Sequence, residues 1–157
     1  MKLLKPLHTL VAAAALVFAS QMAFAADVVF TTDPLLDPNT ATKAQLEAIP
    51  QLSSEQADAI ISGRPYATPT ALHAVIGEGL SEEDQFAIYS ALFVKVSLNK
   101  GENEDFRLVP TTLTARKLAH EFEEYRPYTS MEQFNREMSK YVSDEEVAFL
   151  ERYVTVD

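Results

Sequence analysis

Few side chains outside the first 25 residues could carry out chemistry. The two histidines there are His73 and His120, and the absence of cysteine excludes a thiol nucleophile, a disulfide and a cysteine-based zinc site. The stretch HEFEE at 120–124 comes near the His-Glu-x-x-His pattern of zinc proteases, but position 124 is Glu and no second histidine is near. The acidic residues within 99–105 lack the spacing of a calcium loop. We therefore predict a protein that is not an enzyme and uses no cofactor and no metal ion.

The sequence Arg-Pro-Tyr occurs at 64–66 and again at 126–128, an offset of 62 in a chain of 157 residues. Around it, residues 42–96 align with 104–156, and such a series of matches indicates an internal repeat. The matched pairs include Pro50/Pro110, Ala57/Ala119, Ile60/Phe122, Leu72/Phe134, Ile76/Met138, Ser81/Ser143 and Ile88/Leu150. We predict a first domain at 37–96 (the first copy), a polar linker at 97–105 and a second domain at 106–157 (the second copy). The linker permits the copies to pack together or to stay apart.

Both copies have the apolar spacing of short helices, with apolar residues one to four positions apart. Capping boxes, in which a hydroxyl and a carboxylate or amide satisfy the free N–H groups of a helix start, are predicted at Thr42/Gln45, Ser53/Gln56, Ser130/Gln133 and Ser143/Glu146. Gly63 fits a helix end, and Pro65 and Pro127 fit the turns that follow. The fold class is therefore all-α, with about four short helices in each copy and almost no strand.

The opening of the first copy, NTATKAQLEAIP at 39–50, resembles the helix-hairpin-helix domain of exported ComEA-like DNA receptors and PsbU-like photosystem subunits. Residues 39–42 match the Asn-x-Ala-Thr start of that family, and the helical spacing agrees from about Asp37 to Val156. The resemblance implies a SAM-like fold of two tandem domains, each with two helical hairpins. It also implies phosphate binding in DNA-binding members, where hairpin glycines let the backbone approach the phosphate.

The four hairpin turns are the candidate binding positions, and three of them lack the family's glycines. The second turn keeps two glycines around an acidic residue, and Glu82, Glu83 and Asp84 follow it. The turns comprise Gln51, Leu52 and Ser53; Gly77, Glu78 and Gly79; Thr112, Leu113 and Thr114; and Tyr141, Val142 and Ser143.

Two functions remain open at this point. The basic residues of the second copy could form a DNA-binding face, or they could pair with glutamates of the same helices. These basic candidates are Arg116, Lys117, Arg126, Arg136 and Lys140. We prefer a protein-interaction or scaffold module with degenerate hairpins, whose partner is an unidentified periplasmic protein, and keep ComEA-like DNA binding as the alternative. Exposed Tyr66, Tyr128 and Tyr141 would suit an interface. The favoured alternative makes the Arg-Pro-Tyr turns structural: the tyrosines pack between helix pairs, and the arginines either cap a helix C-terminus or bond to loop carbonyls.

The first 25 residues have the pattern of a secretory signal peptide: a basic start, an apolar middle and Ala23-Phe24-Ala25 at the end. We predict cleavage after Ala25, export to the periplasm, no membrane contact afterwards, and an N-terminal extension at 26–36. The leader holds two of the 13 basic residues and none of the 23 acidic ones. The mature chain therefore has 11 basic and 23 acidic residues, and its net charge of −12 disfavours binding to DNA phosphates.

Overall fold

The structure is a computed structural model that describes residues 30–31 and 33–157. The predicted leader and its cleavage position lie outside the described residues. The described residues are mostly helical, as predicted, and form eight α-helices and one two-stranded sheet. In chain order the elements are α1 (Lys43–Glu47), α2 (Ser54–Ser62), α3 (Pro69–Ile76), α4 (Glu82–Ala91), β1 (Val96–Ser97), α5 (Asn103–Phe106), α6 (Ala115–Glu124), α7 (Met131–Met138), α8 (Asp144–Leu150) and β2 (Val154–Thr155).

The helices begin where hydroxyl side chains can cap them. Thr42 and Ser53 form complete capping boxes with the glutamines three residues later, as predicted. Ser130 and Ser143 also accept a hydrogen bond from the backbone N–H three residues later. The side chains of Gln133 and Glu146, however, do not bond back to the N–H groups of these serines. Gln133 accepts from the N–H of Thr129, and Glu146 reaches the turn before α6. The two capping boxes predicted in the second copy are therefore half formed, because those side chains find other donors.

One core runs through both copies. The ends of the copies pair as parallel strands, with Val96 opposite Val154 and Ser97 opposite Thr155. Beside this sheet, Phe93 stacks edge-on against Tyr153 with ring centroids 5.1 Å apart. The Tyr153 hydroxyl donates to the carbonyl of Tyr89 at 3.1 Å. Because these contacts join residues far apart in the chain, the two copies form one hydrophobic core.

The predicted linker at 97–105 has structure of its own. It contains the end of β1, a turn, and the first three residues of α5. Phe106, at the end of α5, is fully buried and stacks on Phe122 of α6 with centroids 5.2 Å apart. Asp105 is buried and accepts hydrogen bonds from the N–H and hydroxyl of Thr70 in α3. Thus α5 packs against helices of both copies.

The residues before α1 add to this packing. Phe30 stacks on Phe149 with centroids 5.0 Å apart, and Leu36 exchanges backbone hydrogen bonds with Ala91 and Phe93. The Arg152 guanidinium donates to the carbonyl of Ser90 at 2.8 Å and to that of Thr31. Across the described ranges, no helix combines the length and the apolar character that a membrane span needs.

Candidate functional site

The first Arg-Pro-Tyr turn joins α2 to α3 and holds the segment before α1. Arg64 donates through Nε to the carbonyl of Pro38 at 2.6 Å and through Nη2 to that of Ala41 at 2.5 Å. The amide side chain of Asn39 completes the contact, because it accepts from the N–H of Tyr66 at 2.7 Å and donates to its carbonyl at 3.0 Å. The Arg64–Pro65 peptide bond is cis.

The second turn repeats these contacts. Arg126 donates to the carbonyls of Leu98 and Gly101 at 2.5 and 2.6 Å. Asn99 accepts from the N–H of Tyr128 at 2.7 Å and donates to its carbonyl at 2.9 Å. Arg126 therefore serves the fold, and the structural interpretation of the repeated motif is confirmed.

The tyrosines expected at a surface are not exposed. Tyr66 is 5% exposed and Tyr128 is 2% exposed, and each hydroxyl donates to a carbonyl of the preceding helix. Burial raises the pKa of both tyrosines above its usual range. Tyr141 is half-buried. Exposed tyrosines for a protein interface were thus a wrong expectation for Tyr66 and Tyr128, because both rings are needed in the core.

The turns of the first copy satisfy half of their own backbone donors among the described residues. In the first hairpin, Leu52 is buried and donates to the carbonyl of Ile49, while the N–H of Ser53 donates to the side chain of Gln56. In the second hairpin, Gly79 has a backbone φ of +79°, a conformation that favours glycine. Gly77 is the C-cap of α3, and Glu78 between the two glycines is exposed.

The third hairpin is filled by a carboxyl group of this chain. Glu146 in α8 is 2% exposed and accepts from the Thr112 N–H at 2.7 Å. It also accepts from the hydroxyls of Thr111 at 2.7 Å and Thr112 at 2.5 Å. Leu113 donates its N–H to the Thr111 hydroxyl, and Thr114 caps α6. An external anion at this turn would have to displace Glu146.

The fourth hairpin and the basic residues before it are also paired. Tyr141 and Val142 donate their N–H groups to the carbonyl of Met138, and Ser143 caps α8. Arg136 and Lys140 both bond to the carboxyl of Glu137, which is 8% exposed. Lys140, chiefly, and Arg136 hold the pKa of Glu137 below its usual value. The interpretation that these cations pair with glutamates is confirmed for Arg136 and Lys140.

Two lysines flank a pair of hydrogen-bonded tyrosines between α6 and α8. The hydroxyls of Tyr125 and Tyr141 are 2.7 Å apart. Lys117 Nζ lies 5.1 Å from the Tyr141 ring centroid, and Lys140 Nζ lies 4.9 Å from that of Tyr125. The hydrogen bond shared with Tyr125 is the main reason that the pKa of Tyr141 is raised. Of the sequence-predicted basic residues, Lys117 and Lys140 are therefore brought to one surface.

An open cleft of 710 Å³ lies between α5 and α6. Arg107, Arg116 and Lys117 line it, and none of the three has a carboxylate within 4.0 Å in the described part of the chain. The other lining residues are Asn103, Thr114, His120, Glu121 and Glu123. This cleft, formed by the residues just named, is the α5–α6 cleft. It can receive a negatively charged or polar group.

The first turn of α6 carries positive charges, unlike the first turns of α4 and α8. Arg116 and Lys117 lie in it, whereas α4 and α8 have acidic residues in the corresponding turn. The positive end of a helix favours anions by about 0.3–1 kcal/mol for each charge and disfavours cations by a similar amount. The two cations of α6 therefore do not stabilise their own helix.

Sequence reasoning missed two residues, Arg107 of the cleft and Asn99 of the second Arg-Pro-Tyr turn. Arg107 belongs to the cleft but lies beside the predicted linker, where no pattern marks it. Asn99 had a usable signal, since it stands 29 residues before Tyr128 as Asn39 stands 27 residues before Tyr66. A wider alignment of the repeat would have placed it in the second copy.

No protein-family model matches this chain, and a search of curated proteins and of solved structures also finds no match.

Proposed function

We propose that this protein is a non-enzymatic, exported binding module that holds an acidic segment of a partner protein in the α5–α6 cleft. The observation that carries this proposal is the group of three cations in that cleft without carboxylate partners, on a chain with a net charge of −10. Cations without carboxylate partners bind an acidic segment and fix its orientation at contact, whereas the negative net charge of the chain supplies no long-range attraction. A tandem helix-hairpin-helix architecture is part of the proposal, supported by the eight short helices of the described residues and by the contacts that Arg64 and Arg126 repeat. The leader-like first 25 residues support export to the periplasm.

The first and third hairpin turns support a protein partner over a nucleic acid. A phosphate bound at a hairpin needs backbone N–H groups that are free to donate. In the third hairpin the Thr112 N–H donates to Glu146, and in the first the Ser53 N–H donates to Gln56. A phosphate would therefore replace hydrogen bonds that the fold already makes, instead of adding new ones.

The test compares Arg116→Glu with Lys95→Glu. Lys95 is exposed, lies outside the cleft and also lacks a carboxylate within 4.0 Å among the described residues, so the two variants change the net charge equally. Arg116→Glu places an acid in the first turn of α6, which favours the helix, so a loss of binding cannot be attributed to unfolding. We expect the immobilised protein to retain a partner from a periplasmic extract, and Arg116→Glu to lose it while Lys95→Glu keeps it. Equal retention by both variants would contradict the cleft as the binding surface.

DNA binding is the second candidate function. Arg116 and Lys117 follow the third hairpin directly, where a helix-hairpin-helix protein would meet a phosphate. If DNA binds there, reversal of both charges abolishes binding to labelled duplex DNA in fluorescence anisotropy. Affinity that survives this double reversal would show that the surface is wrong.

A further inference from the structure

Three side chains of α6 place oxygen and nitrogen ligand atoms together at the edge of the cleft. His120, Glu121 and Glu124 each offer one such atom, and the three atoms lie within 4.8 Å of one another. His120 Nε2 and Glu124 Oε2 are 3.4 Å apart, since the two residues are one helical turn apart. His120 and Glu124 are exposed, so an ion can reach them from solvent.

Glu121 supplies a second and independent observation. It is 6% exposed, and its Oε2 is buried without a hydrogen-bond partner in the described part of the chain. Buried oxygens without a donor are rare and costly in folded proteins. The other buried acids, Asp105, Glu137 and Glu146, each accept at least two hydrogen bonds. The Tyr141 hydroxyl is close enough to the Glu121 carboxyl for that carboxyl to help raise the pKa of Tyr141, but this hydroxyl already shares a hydrogen bond with Tyr125, and Oε2 of Glu121 has no bond of its own.

We propose that His120, Glu121 and Glu124 bind a divalent transition-metal ion, for which Zn²⁺ is the best-fitting choice. One imidazole nitrogen and two carboxylate oxygens form a three-ligand set that Zn²⁺ accepts, with an open fourth position. Zinc–ligand bonds of about 2.1 Å in a tetrahedron separate ligand atoms by roughly 3.4 Å, which is the His120–Glu124 separation. Calcium and magnesium prefer six or more oxygens and do not suit an imidazole. The zinc ion would give the buried carboxyl of Glu121 a charged partner.

This site goes beyond the proposed partner binding and does not depend on it. The segment 120–124 does not match the zinc-protease pattern because Glu occupies position 124. A carboxylate can nevertheless serve as a zinc ligand at the position of the second histidine. Because His120 and Glu121 also line the α5–α6 cleft, the ion adds positive charge at the edge of that cleft. A group of the bound partner could take the open coordination position.

Isothermal titration calorimetry with ZnCl₂ on the purified protein tests the site. We expect one equivalent of Zn²⁺ to bind in the micromolar range. His120→Ala and Glu124→Gln remove exposed ligands without disturbing the core, and each should weaken binding by at least about tenfold. The control variant His73→Ala removes the other histidine described, far along the chain in α3, and should bind Zn²⁺ like the wild type.

Substitution of Glu121 needs a readout that separates metal binding from folding. We expect Glu121→Gln to weaken Zn²⁺ binding while the protein without metal melts at or above the wild-type temperature, because an amide replaces an unpaired buried carboxyl group. Added Zn²⁺ should raise the melting temperature of the wild type but not that of His120→Ala. The proposal is overturned by an absence of stoichiometric binding, by equal affinity of His120→Ala and the wild type, or by a loss of binding in His73→Ala.

Discussion

Removal of either Arg-Pro-Tyr arginine should destabilise the protein strongly, and the repeat provides two matched positions for this test. Arg64→Ala and Arg126→Ala each remove two hydrogen bonds from a guanidinium to backbone carbonyls, at 2.5 to 2.6 Å. Hydrogen bonds to charged groups contribute about 1.5–3 kcal/mol each when buried, and these arginines are half-buried. We expect the free energy of unfolding to fall by about 2–4 kcal/mol for Arg64→Ala.

The second position should be the more sensitive one. Arg126 also lies over the ring of Phe106, with its guanidinium carbon 5.2 Å from the ring centroid, whereas no such contact is found for Arg64 in the described residues. That contact adds about 0.5–1 kcal/mol to the loss in Arg126→Ala. Lysine keeps the charge but cannot bridge two carbonyls from one planar group, so Arg→Lys should restore less than half of the loss.

Urea unfolding monitored by circular dichroism measures these differences. The expected losses are a large share of the total stability of a domain, which is about 5–15 kcal/mol. Losses below about 0.5 kcal/mol in both alanine variants would refute the reasoning, because surface substitutions alone account for changes of that size. Full stability of the Arg→Lys variants would show that charge matters and the two-carbonyl geometry does not.

Three further predictions concern buried acids. Glu146→Ala should lower the free energy of unfolding by about 3 kcal/mol in urea titrations, because it leaves the Thr112 N–H and two hydroxyls without an acceptor; an unchanged midpoint would contradict this. Glu137→Gln should lower the melting temperature at about pH 7. This effect should shrink as the pH falls through the depressed pKa of Glu137, because the wild type then loses the stability that its ionised carboxyl supplies. A difference in melting temperature between variant and wild type that stays constant down to about pH 3 would argue against the ion pairs. A double-mutant cycle of Thr70→Val and Asp105→Asn should give a coupling energy of about 1 kcal/mol or more, and a value near zero would mean that this contact does not join α3 to α5.

The helical content followed from local patterns. Hydroxyl residues at helix starts, such as Ser53 and Ser143, act over three residues and need no knowledge of the tertiary fold. The repeated Arg-Pro-Tyr turn was also recognisable, and one of the two interpretations offered for it is confirmed by the bonds of Arg64.

The contacts between copies could not be predicted in this way. The sheet has two residues in each strand, and Val96 pairs with Val154, so no alternation of apolar and polar residues reveals it. The polar stretch 97–105 has the composition of a linker, yet its Asn99 is bonded to Tyr128. Composition cannot distinguish a polar loop that is hydrated by water from one whose polar groups form hydrogen bonds with a distant turn of the protein.

The cleft illustrates the same limit. Arg116 and Lys117 were recognised as candidates because they follow a predicted turn, but Arg107 joins them only through the packing of α5 on α6. Glu146 was predicted to cap its own helix and instead fills the third hairpin. Each of these outcomes depends on which donor is nearest in the folded protein, and local sequence does not contain that information.

The central proposal is that the protein does not bind DNA phosphates, because side chains of this chain already accept the N–H groups of the first and third hairpins. The most direct test is a titration of labelled duplex DNA with the purified protein. Fluorescence anisotropy is measured at low and at moderate salt, because phosphate binding weakens steeply as salt rises. The account predicts no change in anisotropy even at low salt. Binding in the micromolar range or tighter, with a steep salt dependence, would contradict it.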